Sequence, residues 1–124
     1  MLTVNQIQDL KDAEKVLFAT SFEGQPRAIW VIPSKIASDE IIISNIQMEK
    51  SIQNIKANPK CYLNALLPEK EDLQYKIEGF ATVEEEGSEF EQIKNFEESE
   101  NLPPELKVNS IIRIKIVSVE TSNG

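Results

Sequence analysis

The sequence has no histidine. That absence removes the commonest general base and the commonest metal ligand. It excludes a Ser-His-Asp or Cys-His hydrolase and argues against a zinc enzyme. Cysteine is nearly as scarce. Cys61 stands alone, so neither an intrachain disulfide nor a cysteine metal cluster can form. The four glycines are scattered, and none builds a glycine-rich phosphate loop. No apolar run approaches the roughly 20 residues that cross a bilayer. The stretch 1-MLTVNQIQDLKDAEK-15 lacks the basic start and apolar middle of a secretory leader, so a cytoplasmic location is the expectation. Any chemistry is expected to belong to a bound cofactor.

The 124 residues suit one domain spanning 1–124, with a single core of modest size. Hydrophobic residues make up 40% and charged residues 27%, which is globular rather than disordered composition. The formal charge is -8, and all of it lies beyond residue 60. Residues 1–60 balance seven acids with seven bases, whereas 61–124 hold fourteen acids and six bases. Nucleic acid and anionic membranes want a basic face, so both are excluded as partners. One local basic spot remains: 47–60 carries Lys50, Lys56 and Lys60 against Glu49.

Pattern and punctuation predict six strands and three short helices. Thr3 and Gln6 have capping-box spacing, and Val4, Ile7, Leu10 and Ala13 follow as a helical stripe. Strands follow at 16–21 and 27–35, joined through a turn at Gly24 into a hairpin. Pro33 belongs near a strand end or an edge. The strand 41-IIISN-45 has three consecutive isoleucines, which suggests burial on both faces. A helix over about 49–57 stops at Asn58-Pro59. Strands at 60–67 and 73–85 come next, and Gly79 reads as a bulge or a close backbone approach. Ser88 and Glu91 make a second capping box for a helix with Phe90, Ile93 and Phe96 as its stripe. The loop 101–106 breaks that helix, and 108–120 alternates as the last strand. Sequential antiparallel strands with outlying helices favour a small barrel over a doubly wound sheet.

Several side chains invite two readings. Trp30 and Tyr75 suit either an aromatic facing a bound cofactor or packing in a core or interface. Cys61 opens an apolar strand and reads as buried and inert. Glu84, Glu85 and Glu86 lack the spacing of a calcium loop and read as a solvated strand end. Arg27, Arg113 and Lys115 read as solvated strand charges. Lys50 and Ser51 stand at a helix entrance, where unpaired N–H groups carry partial positive charge. With Ser44 and Asn45 just before, they either cap the helix or hold a phosphate monoester.

In order, 16-VLFATSFEGQPRAIWV-31, 41-IIISN-45, 48-MEKSIQNIKANPKCYL-63 and 77-IEGFATV-83 resemble the FMN-binding split-barrel proteins related to pyridoxamine 5'-phosphate oxidase. Three finer features look closest to the small FMN-binding proteins of the Desulfovibrio type. These are Met48-x-Lys50-Ser51, the helix start 87-GSEFEQI-93, and Ser118 with Glu120. The resemblance implies a mainly β split barrel that binds FMN at a homodimer interface and acts as an oxidoreductase or electron carrier. It implies that Lys50 and Ser51 grip the phosphate and that Trp30, Val31 and Ile32 line the flavin. Ser44, Asn45, Gln47 and Met48 would pass along the ribityl chain and ring edge. The arginine- and histidine-bearing tail that binds substrate in the true oxidases is missing. The alternative is a flavin-free barrel dimer that binds a small ligand or a protein.

Overall fold

A computed structural model describes residues 1–100, 103 and 106–123. Its elements, in order, are α1 (Val4–Asp12), β1 (Val16–Phe22), β2 (Gln25–Val31), β3 (Lys35–Ile36), β4 (Glu40–Asn45), α2 (Glu49–Ala57), β5 (Lys60–Leu67), a 3-10 turn (Pro68–Lys70), β6 (Leu73–Glu84), α3 (Ser88–Glu98) and β7 (Ser110–Asn123). The strands form one antiparallel sheet ordered β2-β1-β5-β6-β7-β4-β3. There are seven strands rather than six, because the expected strand over 27–35 breaks at Ile32-Pro33-Ser34 and resumes as β3. Proline has no N–H to give a ladder, which accounts for the break. The helix-breaking loop expected over 101–106 lies largely outside the described residues.

The link 32–34 decides the shape. It joins β2 and β3, the two edges of the sheet. A flat seven-stranded sheet is about 29 Å wide. Four Cα steps reach at most about 14 Å. The sheet therefore curls until the end of β2 comes within that reach of the start of β3, its edges staying unpaired, and the inner face becomes the core. Phe18, Ile41, Ile43, Leu63, Ile77, Ile112 and Ile114 are all buried there.

Local chemistry sets the joints. The β1–β2 turn is Glu23-Gly24, with φ of 51° and 76°. Two positive φ values match the twist of a two-residue hairpin. Helix α1 starts with the expected capping box: Gln6 N donates to Thr3 Oγ1 at 3.1 Å, and Thr3 N donates to Gln6 Oε1 at 2.9 Å. Its apolar stripe departs from expectation at Val4, which is exposed, while Leu2 is buried instead. Leu2 and Ile7 flank the cap and both pack into the core, the arrangement of a hydrophobic staple. Helix α3 also departs. Gly87 is its N-cap, at φ 112°, and no side chain caps it, so the Ser88–Glu91 box does not form.

Strand β4 is covered on both sides, as its isoleucines suggest. Ile41 and Ile43 face the barrel interior. Ile42 faces a second cluster with Phe90 of α3, Val108 and Ile111. Tyr75 and Cys61 are core residues. The Cys61 thiol is pushed up to about 12 by burial.

Two points in this frame are open to test. At the bulge between Glu78 and Gly79, a Cβ on Gly79 would stand 2.6 Å from Ile114 Cγ2 and 2.7 Å from the Lys115 carbonyl oxygen. Gly79→Ala is expected to lower stability by about 1–3 kcal/mol, read as a lower urea midpoint. An unmoved midpoint would contradict the close approach.

The second is Asp9, buried on α1, which accepts from Tyr75 Oη at 2.5 Å and pairs with Lys70. Lys70, then Tyr75, hold the Asp9 carboxyl below its usual range. Burial, then Asp9, pushes the Tyr75 hydroxyl up to about 12. A depressed carboxyl stabilises above its unfolded pKa, and that stabilisation is lost as pH falls through the folded value. The raised Tyr75 stabilises below its unfolded pKa and loses that contribution as pH climbs toward about 12. Asp9→Asn is expected to cost about 1–3 kcal/mol at neutral pH. In urea titrations at stepped pH, its deficit against wild type should shrink on acidification.

Candidate functional site

A groove of about 860 Å³ opens where the β2–β3 link faces α3. Its size is that of a small-molecule site. One wall is the run Trp30 to Lys35. The floor is Ser44, Ile46 and Met48, and the far wall is α3 from Glu89 to Phe96 and Glu97, with Glu100 beyond. Strand alternation builds the floor. Ile42 faces α3, so Ser44 and Ile46 follow on that side.

The sequence-predicted residues fall into three groups. Trp30, Val31, Ile32, Ser44 and Met48 line the groove. Trp30 is 63% exposed, and the Lys15 Nζ lies 5.4 Å from its ring centroid. Asn45 and Gln47 shape the approach to α2. Asn45 is buried, its amide donates to Ser110 Oγ at 2.9 Å, and its Oδ1 accepts from Met48 N at 3.1 Å. Gln47 is exposed and takes φ 58°, turning the chain into the helix. Lys50 and Ser51 sit in the first turn of α2. Lys50 is exposed and forms no ion pair among the described residues. Ser51 is buried at 1% exposure.

Met48 is the N-cap of α2, and no side chain caps this end. Asn45 takes the N–H of Met48 itself, the N–H groups of the first turn beyond it have no cap from the Met48 side chain, and the helix start adjoins the groove at Met48. That donor set suits an anion such as a phosphate. The apolar wall suits a flat ring. The residues present thus fit a flavin mononucleotide. Among the described residues, no group of His, Cys, Asp and Glu could hold a metal ion.

The outer wall holds residues that sequence reasoning passed over. Arg113 alternates outward on β7 as expected, but α3 covers that face and leaves its side chain 19% exposed. Its guanidinium donates to Glu84 Oε2 at 2.7 Å, Glu40 Oε1 at 2.8 Å and Glu89 Oε1 at 2.6 Å. Glu84 is therefore an ion-pair partner and not a solvated strand end. Lys35 adds a 2.9 Å contact to Glu89. Lys35, then Arg113, hold the Glu89 carboxyl below its usual range, and Arg113 does the same for Glu84. Farther along α3, Glu97 Oε1 accepts from Ser34 Oγ at 2.7 Å and from Ser44 Oγ at 2.9 Å. Ser34 and Glu97 are far apart in sequence and carry no local signal of pairing.

No protein family and no characterised protein matches the chain by sequence. Solved structures do match by shape. HupZ of Group A Streptococcus is 20% identical, with a TM-score of 0.83 over 100% of this chain and 96% of that one. A pyridoxamine 5'-phosphate oxidase-like protein of Listeria innocua is 14% identical, with a TM-score of 0.78 over 94% of each chain. An FMN-binding protein of Syntrophomonas wolfei is 18% identical, with a TM-score of 0.69 over 93% of this chain and 82% of that one. At such identities the likeness is one of fold. The chain has the FMN-binding split-barrel fold, with an open seven-stranded sheet.

Arg113 ties three elements together, and its removal leaves Glu40, Glu84 and Glu89 facing one another. Arg113→Ala is expected to cost about 1–3 kcal/mol at neutral pH, discounted for partial exposure. Depressed carboxyls stabilise above their unfolded pKa and lose that contribution on acidification. The deficit should therefore narrow as pH falls toward the carboxylate range, measured by urea midpoints. A deficit that widened on acidification would contradict the network.

Proposed function

We infer that this chain binds FMN and acts as a flavin oxidoreductase or electron carrier, with the flavin at the interface of a homodimer. One observation carries the reading. An apolar wall, Trp30 to Ile32, runs with the Ser44–Met48 floor toward a helix start without a cap from its N-cap side chain, where Lys50 has no ion-pair partner among the described residues. Lys50 would meet the phosphate as a point charge, joined by first-turn amides. Ser51 would join it at the helix start, although the whole residue is buried at 1% exposure, so the phosphate would have to reach it through the first turn. Trp30, Val31 and Ile32 would line the ring, and Ser44, Asn45, Gln47 and Met48 would lie along the ribityl chain and ring edge. The likeness to the small Desulfovibrio-type proteins, carried by Met48, Lys50 and Ser51, supports the same placement.

A bound flavin supplies the electron chemistry, and the protein binds, orients and tunes it. That division suits a chain without histidine, whose single thiol is buried. The second copy is supported by the outer face of the sheet. Trp30, Tyr62, Leu66, Phe80 and Val117 are large apolar side chains exposed on its strands. A soluble protein rarely leaves so much apolar surface uncovered. No helix among the described residues is long and apolar enough to cross a membrane.

A flavin-free barrel dimer that binds another small ligand or a protein is the second reading. The carboxylates of Glu89, Glu97 and Glu100 along the groove favour it. Absorption spectra before and after incubation with FMN and gel filtration separate the two. The first reading expects a retained flavin band on a species of dimer mass. A colourless dimer that takes up no FMN supports the second, and a colourless monomer counts against both. In the first case, Lys50→Ala should weaken FMN binding by about 1.5–3 kcal/mol, the size of a charged hydrogen bond. Unchanged affinity would move the phosphate elsewhere.

A further inference from the structure

The two ends of α3 are held in different ways. Near its start, Phe90 packs with Ile42, Val108 and Ile111, and Glu89 pairs with Lys35 and Arg113. Its last turn presents Phe96, 67% exposed, and contains no basic residue. A helix C-terminus is the negative end of the dipole, so Glu97 and Glu98 stand where a carboxylate is disfavoured. Glu97 is kept there by two hydroxyl groups. Ser34 and Ser44 come from different elements, yet their Oγ atoms lie 2.6 Å apart, a hydrogen bond in which either is the donor, and both lie within reach of the same Glu97 oxygen, so two hydroxyl hydrogens serve three contacts and at least one is always directed at Glu97. Ser44 is 6% exposed, so its hydroxyl depends on a protein or ligand partner.

We propose that Ser34 and Ser44 form the recognition subsite for one acceptor oxygen of the groove's ligand, and that Glu97 fills this subsite in the ligand-free chain as an internal competitor. The ligand group is an uncharged carbonyl on a planar, largely apolar ring. Its oxygen has two lone pairs and can accept both hydroxyls. An anionic group is disfavoured, because Glu89 and Glu100 also line the groove and the lining cation, Lys35, is already paired with Glu89. Binding then exchanges one acceptor for another at the serines and releases the last turn of α3. Phe90 and Glu89 stay in place as the pivot. The ligand half of this inference rests on the flavin reading of the groove, since a flavin ring carries such carbonyls.

The experiment uses Trp30, the single tryptophan and a groove residue. FMN is titrated against its fluorescence in the wild type, Glu97→Ala, Glu97→Gln, the double variant Ser34→Ala/Ser44→Ala, and that double variant with Glu97→Ala. Removing the competitor should tighten binding about three- to tenfold, and removing the serines should weaken it by a similar factor. Glu97→Gln, which keeps an acceptor oxygen, should tighten it much less than Glu97→Ala. Without the serines, Glu97→Ala should tighten nothing. In parallel, hydrogen exchange on the ligand-free proteins should be faster at 96–100 in Glu97→Ala, with β5 and β6 still protected. Equal tightening by Gln and Ala, or tightening that persists without the serines, would mean that Glu97 acts by charge alone and would overturn the proposal. So would unchanged exchange at 96–100. If no variant binds FMN, the flavin reading and the ligand half fall together, and the exchange result decides the latch alone.

Discussion

Three residues, Ile32, Pro33 and Ser34, govern the form of this molecule. They join the two edges of its sheet, and their short reach forces the sheet to curl. The same link carries the groove's near wall. Ser34 N donates to the Ile42 carbonyl at 2.8 Å, which fixes the link to β4. That bond brings the Ser34 hydroxyl beside Ser44, two residues farther along β4. Closure of the barrel and assembly of the groove floor are thus one event. Alternation along β2 then leaves Val31 in the core, with Trp30 and Ile32 exposed on either side. An apolar wall follows from closing a sheet at this point.

Helix α3 depends on that frame and completes it. A strand buried on one face needs no cover, but Ile42 turns away from the barrel interior and has to be covered. Phe90 and Val108 do so. The acids of α3 then meet cations already fixed by the sheet, Arg113 on β7 and Lys35 on β3. This explains why so acidic a helix can lie on an acidic protein. Its charge is met by cations of the sheet where the helix is anchored, and at its far end by Lys94 of the same helix, which pairs with Glu98, and by the serine hydroxyls at Glu97.

Much of this was legible in the sequence, for identifiable reasons. Periodicity and punctuation are local signals, so the strand positions, Asn58-Pro59 as a stop and Glu23-Gly24 as a turn could be read directly. The burial of 41-III-43 on two sides was also visible, because three consecutive apolar residues leave no face for water. Gly79 announced a close approach, which the Ile114 and Lys115 contacts supply. What escaped was long-range. Arg113 alternates outward on β7, and nothing near it in sequence says that α3 will cover that face. Ser34 and Glu97 are separated by most of the chain, and neither residue type is unusual. The capping box at Ser88 was misread because Gly87, at φ 112°, takes the cap position itself. Val4 failed for a related reason. The residue before the cap, Leu2, was the one drawn into the core. Of the candidate site, the lining at Trp30 to Ile32, Ser44 and Met48 was implied by the family resemblance and not by local pattern. Its acidic wall on α3 was implied by neither, since a helical acid reads first as solvated surface.

The charge distribution raises a last physical question: how a chain of net charge -8 could attract a phosphate. Net charge acts through water and salt, and beyond about 10 Å it is largely screened. A helix start acts at contact. The first-turn amides of α2 and Lys50, which forms no ion pair among the described residues, lie in the half of the chain where acids and bases balance. The carboxylates of Glu89, Glu97 and Glu100 belong instead to the α3 wall. Two are already engaged, Glu89 by Lys35 and Arg113, and Glu97 by the two serines. The donors of the α2 start thus adjoin the groove through Met48, and negative charge lies on its α3 side. A ligand with an anionic tail and a neutral ring has only one orientation in such a field. That polarity would set which end of the cofactor enters first and which edge of the ring meets α3.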